Sequence, residues 1–112
     1  MTDFRKAAKT AARLMDEKKA EDIIIMDVSK IASFTQFIIL ATFNSSTHIQ
    51  SAQDILKKGF EIQPLHREGD VSSGWVLVDY GEMVVNLFNK ETRDFYCLDK
   101  LWAESKPVKW NA

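Results

Sequence analysis

Gly74–Trp102, GWVLVDYGEMVVNLFNKETRDFYCLDKLW, decides the fold. It reads as strand, tight turn, strand, short helix and an aromatic end. In Trp75–Asp79, period-two alternation puts Trp75, Leu77 and Asp79 on one face and Val76 and Val78 on the other. Tyr80-Gly81 supplies the turn, with Gly81 free to take a positive φ. Met83–Phe88, rich in β-branched residues, reads as the returning strand. Asn89 is placed to cap a short helix, with Glu91 in its first turn. Phe95, Tyr96, Leu98, Leu101 and Trp102 then bring much apolar and aromatic surface close to the hairpin.

Working outward, Phe4, Ala7, Ala8, Ala11, Leu14 and Met15 recur at helical spacing, with charged residues filling much of the other face. Asp3 or Thr2 is placed to cap this helix. Its shallow, Ala-rich apolar side suits packing on a sheet better than a membrane surface. Ile23–Val28 and Phe34–Thr42 are short apolar runs that read as interior strands buried on both faces. Ile49, Ala52, Ile55 and Leu56 mark a second helix. Ser46 or Thr47 would start it, and Lys57, Lys58 and Gly59 would end it. Phe60–Arg67 suggests a third strand, restricted by Pro64 to an edge or an irregular end, and Glu68–Gly74 reads as a polar loop. Residues 1–102 form one domain in this reading, and 103–112 a short polar tail in which Trp110 is the one residue able to pack. The expected fold is α/β, a mixed sheet of about five strands with flanking helices.

The composition narrows the function. A hydrophobic content of 46% supports a packed core and argues against disorder. Lys and Arg total 15 against 16 Asp and Glu, so no electrostatic footprint for a nucleic-acid backbone is present. Cys97 is the only cysteine, which excludes an internal disulfide and is compatible with a reducing compartment. It reads as a small hydrophobe rather than a reactive thiol. No apolar run is long enough for a signal segment or a membrane span, which leaves the cytoplasm as the default location.

Chemical sites are sparse. Asp27, at a polar corner, has no second acid or histidine nearby and reads as a loop-ordering residue rather than a metal or proton-transfer group. His48 and His66 are the only histidines, too few partners for zinc. Asn44-Ser45-Ser46-Thr47 stands between a strand and a helix, where phosphate can bind, but lacks glycines and follows the bulky Phe43. No cofactor is expected.

The central stretch resembles the signature of the ribosomal silencing factor (Iojap-related) family. The shared pattern runs Trp75-Val76-Leu77, Asp79-Tyr80-Gly81, Val84-Val85, Phe88, Arg93, Phe95-Tyr96, Leu98 and Leu101-Trp102. A second block, Asp27-Val28-Ser29 with Phe37–Thr42 and Asn44-Ser45, matches the family's other motif. Two motifs in order make the resemblance specific. Asn86 stands where the family usually has His, and Phe43 where it usually has Gly.

The resemblance implies a fold similar in outline to nucleotidyltransferases. It also implies a non-enzymatic role: docking on large-subunit ribosomal protein fourteen, blocking subunit joining and repressing translation. The free protein would be a homodimer, and direct nucleic-acid contact would be small. The residues expected at the partner interface are Trp75, Leu77, Asp79, Tyr80, Leu98, Lys100 and Trp102, with Lys100 as a rim charge and Phe95 as core. The competing reading is a small nucleotidyltransferase. That chemistry needs a Gly-Ser turn and a pair of closely spaced carboxylates for magnesium, and this chain has neither.

Overall fold

The computed structural model describes residues 3–111; Thr2, the alternative cap of the first helix, and Ala112 lie outside them. Helix α1 (Phe4–Glu17) is followed by β1 (Glu21–Asp27), β2 (Phe37–Phe43), α2 (Ser46–Gly59), β3 (His66–Asp70), β4 (Trp75–Asp79) and β5 (Met83–Asn89). Helices α3 (Lys90–Tyr96) and α4 (Leu98–Leu101) and the short β6 (Lys106–Pro107) complete the chain. The strands form one six-stranded mixed sheet in the order β3-β4-β5-β2-β1-β6. Among the described residues the only parallel pair is β2 with β5, at its centre.

The two most apolar runs take the centre because only there are both faces covered. Every residue of β2 is buried, as are Met83–Phe88 of β5. On one face, α1 and α2 close over Ile25, Ile39, Val76, Val78, Val85 and Leu87. Alanines 7, 8, 11 and 12 let α1 lie close to the strands. Asp3 caps α1 by accepting the Lys6 N–H at 3.1 Å. On the other face, Met26, Val28, Ile38, Leu40 and Phe88 form a smaller cluster, against which Leu98 and Trp102 pack. Each fully buried side chain of this size contributes about 1.5–3 kcal/mol.

The structure departs from the sequence reading at several points. The second strand begins at Phe37, and Phe34 is exposed in the preceding loop. β1 is only partly covered, because it lies next to the sheet edge. Its register shifts between Glu21 and Ile24, with Asp22 at φ +49°. α2 is capped one residue earlier than expected: Ser45 Oγ accepts the His48 N–H at 3.0 Å. The third strand is His66–Asp70, so much of the supposed polar loop is strand and Phe60–Leu65 is loop. All five residues of β3 are exposed, so no apolar alternation marks it. The sixth strand comes from the expected tail. Lys106 and Pro107 pair with Asp27 and Met26, Val108 is buried, and Trp110 donates its indole N–H to the Ile23 carbonyl at 3.3 Å.

Candidate docking face

Trp75, Leu77 and Asp79 lie opposite Phe88, Asn86 and Val84 of β5, on the sheet face away from α1 and α2. The Trp75 indole is half-buried. It rests on Phe88, with ring centroids 5.1 Å apart, and on Tyr96, at 4.7 Å. Its N–H donates to Asn86 Oδ1 at 3.0 Å, and the Asn86 amide reaches the Ile39 carbonyl at 3.4 Å. Asn86 is buried, and its amide both holds the indole and braces the neighbouring strand. Gly69, at φ +79°, lets β3 pass close to Trp75: a Cβ there would lie 2.2 Å from the Trp75 carbonyl oxygen. A groove of about 250 Å³ results, lined by Glu68, Gly69, Ser73, Trp75, Leu77, Thr92 and Tyr96.

Asp79 belongs to the turn that ends this face. Its carboxylate accepts the Gly81 N–H at 2.7 Å, and Gly81 takes φ +93° as expected. Tyr80 must be moved out of the candidate set. Its side chain is 6% exposed and packs with the helix-covered core, its ring edge-on to Phe60 at 5.7 Å. Burial pushes its phenol above the ordinary value. Alternation carried the signal, because Tyr80 continues the Val76–Val78 row.

Leu98 and Trp102 are half-buried on the same side of the sheet as Trp75. Trp102 meets Phe34 at 5.9 Å between ring centroids. Lys100 is exposed and opens toward a different, polar cleft shared with Lys90, Arg93 and Asp94. Phe95 was expected in the core and is instead 78% exposed, edge-on to the half-open Tyr96 at 5.0 Å. Leu101 and Phe34 are exposed as well. The exposure of Phe95 and Leu101 had no sequence signal because α3 and α4 are too short to show helical periodicity, and Phe34 reads in the sequence as the start of a strand.

It also missed how α3 and α4 are held. The Arg93 side chain is 9% exposed. Its guanidinium donates to both Asp99 carboxylate oxygens, at 3.4 and 3.0 Å, to Thr42 Oγ1 at 2.8 Å and to the Asp22 carbonyl at 2.6 Å. Between the two helices Cys97 sits at φ +51°, and its Sγ reaches the Asp94 carbonyl at 2.7 Å.

The other candidate groups serve local structure. Asp27 accepts the Ser29 N–H and hydroxyl at 3.0 and 2.7 Å and pairs with Arg5 at 2.8 Å. Those bonds, the Ser29 hydroxyl foremost, hold its carboxyl below the ordinary value against the opposing effect of desolvation. His48 accepts the Asn44 N–H on Nδ1 and meets the Lys18 carbonyl with Nε2, so both ring nitrogens are occupied. Ser45 caps α2, and the Ser46 hydroxyl donates to the Val71 carbonyl. Among the described residues no cluster of His, Cys, Asp or Glu is arranged for a metal ion, and no helix is long and apolar enough to cross a membrane.

Comparison with known proteins assigns this architecture. The family described as "Ribosomal silencing factor during starvation" matches residues 1–111. The Bacillus subtilis ribosomal silencing factor is 37% identical over 100 residues, which is 87% of this chain and 85% of that protein. A mouse protein named for mitochondrial assembly of the ribosomal large subunit is 30% identical over 95 residues, 80% of this chain and 42% of its own length. The crystal structure of protein CV0518 from Chromobacterium violaceum superimposes with a TM-score of 0.84 at 30% identity, covering 99% of this chain and 95% of that one. With its whole described length matched in sequence and in fold, the chain belongs to the ribosomal silencing factor family.

Proposed function

We propose that this protein docks on the large ribosomal subunit, at large-subunit ribosomal protein fourteen, and blocks subunit joining by occupying the contact surface. It represses translation by occupancy, and no bond is made or broken. The free chain pairs with a second copy through overlapping apolar surface, so self-association and docking compete by mass action. It acts in the cytoplasm.

The observation that carries this reading is the unevenly covered sheet. Helices close one face, while the other presents Trp75 and Leu77 beside the exposed Phe95 and Tyr96. Partly open aromatic side chains around a groove are what an interface anchor requires. Leu98 in α4 and Trp102 just after it support this surface, and Asp79 shapes its end, while Lys100 faces the neighbouring polar cleft. The relatives' names point to the ribosome, and the mouse relative's to its large subunit.

The test is sedimentation with separated subunits. Binding to large but not small subunits, with fewer joined ribosomes, is expected. Equal binding to both, or unchanged joining at saturating protein, would refute the assignment. Calorimetry with magnesium and nucleotides addresses the enzymatic alternative and is expected to show no binding. The Asn44-Ser45-Ser46 turn has already committed its serine hydroxyls to capping and to the Val71 carbonyl.

A further inference from the structure

We infer that Arg93 and Asp99 form a clamp that positions the α3–α4 segment, and so sets the fraction of molecules whose docking face is assembled. This rests on the proposed docking role. The segment is a weak structural unit. α3 has seven residues and α4 four, below the length at which a helix persists unaided. The non-glycine residue between them, Cys97, holds a left-handed conformation that L side chains adopt at a cost. Yet this segment carries Tyr96 against the Trp75 indole, Phe95 beside it, and Leu98 and Trp102 on the sheet.

The clamp ties the α3–α4 segment to two distant strands, β2 and β1. One fork of Arg93 grips the Asp99 carboxylate, six residues further on in α4. The remaining nitrogen reaches Thr42 at the end of central strand β2 and the carbonyl of Asp22 in β1. The Asp22 carbonyl belongs to the irregular part of β1, where the register shifts and Asp22 itself takes a positive φ. Two left-handed non-glycine residues, Asp22 and Cys97, thus lie in the segments that the one buried guanidinium ties together. A lysine could keep the charge but not this planar, multiply bonded geometry.

If the clamp acts by positioning, its loss lowers the competent fraction and leaves the docked complex unchanged. Apparent affinity then falls with that fraction. The loss appears in the association rate, whereas removing a direct contact appears in the dissociation rate.

Asp99→Asn and Arg93→Lys test this on the intact chain, with Asp99→Glu as the conservative rescue. Asp99 is the partly exposed partner, 40% exposed as a side chain, so its variants keep Arg93's bonds to Thr42 and Asp22. Hydrogen exchange on the free protein is expected to speed at the Cys97, Lys100, Leu101 and Trp102 amides, with β2 and β5 unchanged. Association with large subunits is expected to slow by about tenfold, with dissociation within about twofold, and Asp99→Glu should recover most of the rate. Unchanged exchange in α4 would overturn the clamp. So would faster dissociation at an unchanged association rate, which would make Asp99 a contact residue. Should the wild-type chain fail to bind large subunits, the docking reading fails, and exchange alone still decides whether Arg93 positions the segment.

Discussion

The two faces of the sheet draw on the same strands and end differently. Toward α1 and α2, the alternating residues of β2, β4 and β5 meet two fourteen-residue helices and are sealed. Toward α3 and α4, the interleaved residues of the same strands meet a short segment that covers only part of the face. Trp75 is half-exposed while its neighbour Val76 is fully buried, one residue along the same strand. The sealed face is thus the stability element, and the open one can bind at little cost to the fold.

The largest expected effect comes from breaking the sealed face. Ile39 is fully buried at the centre of the sheet, so Ile39→Ala should destabilise by about 2–5 kcal/mol in denaturant melts. The protein that remains folded should bind large subunits normally. A selective loss of binding with normal stability would erase the division between the faces.

Trp75→Ala should show both losses, because its indole is half-buried yet lines the groove. A binding loss of about 2 kcal/mol or more is expected, with a stability loss below that of a core tryptophan. Tyr96→Ala, 51% exposed, separates the two: weakened binding with a nearly unchanged melting temperature.

Much of this division was legible in the sequence. A continuous apolar run marked β2 as interior, and alternation put Trp75, Leu77 and Asp79 on a common face. The same run signal overstated β1, which lies next to the sheet edge, while β5 read only as the returning strand of the hairpin. What escaped had no local signal. β3 reads His-Arg-Glu-Gly-Asp and becomes a strand only by pairing with β4. β6 is two residues long. The break after Tyr96 falls at Cys97, whereas glycine is the usual marker of a left-handed helix end. Phe95 looked like core because aromatic residues usually are, yet its helix turns that side to solvent. Arg93's role depends on Asp22 and Thr42, distant in sequence and invisible to a local pattern.

Asn86 probes the brace beneath the open face. Asn86→Leu leaves the Trp75 indole N–H unpaired and should cost about 1–3 kcal/mol in stability. Asn86→His can replace the acceptor, so near-neutral binding should be almost unchanged, and nucleotide-processing activity should remain absent. Gain of such activity would overturn the non-catalytic reading.

The smallest effect concerns pH. The Asp27 carboxyl is depressed below its ordinary 3.8 in the folded protein. Its stabilising contribution is therefore present above that value and lost as pH falls through the lower folded value. Melting curves should be flat from neutral pH to about 5 and decline below about 4, with Asp27→Asn reducing the acid sensitivity. Binding should also depend only shallowly on salt, since 15 basic residues are balanced by 16 acidic ones; a log–log slope steeper than about −5 would reveal a large nucleic-acid contact.

The most direct test is a subunit-joining titration comparing the wild-type chain with Tyr96→Ala, both verified as folded. The wild type should lower the fraction of joined ribosomes, and Tyr96→Ala should need about thirtyfold more protein for the same effect, the equivalent of about 2 kcal/mol. Equal potency of the two proteins, or no effect of the wild type at saturation, would contradict docking through the open face.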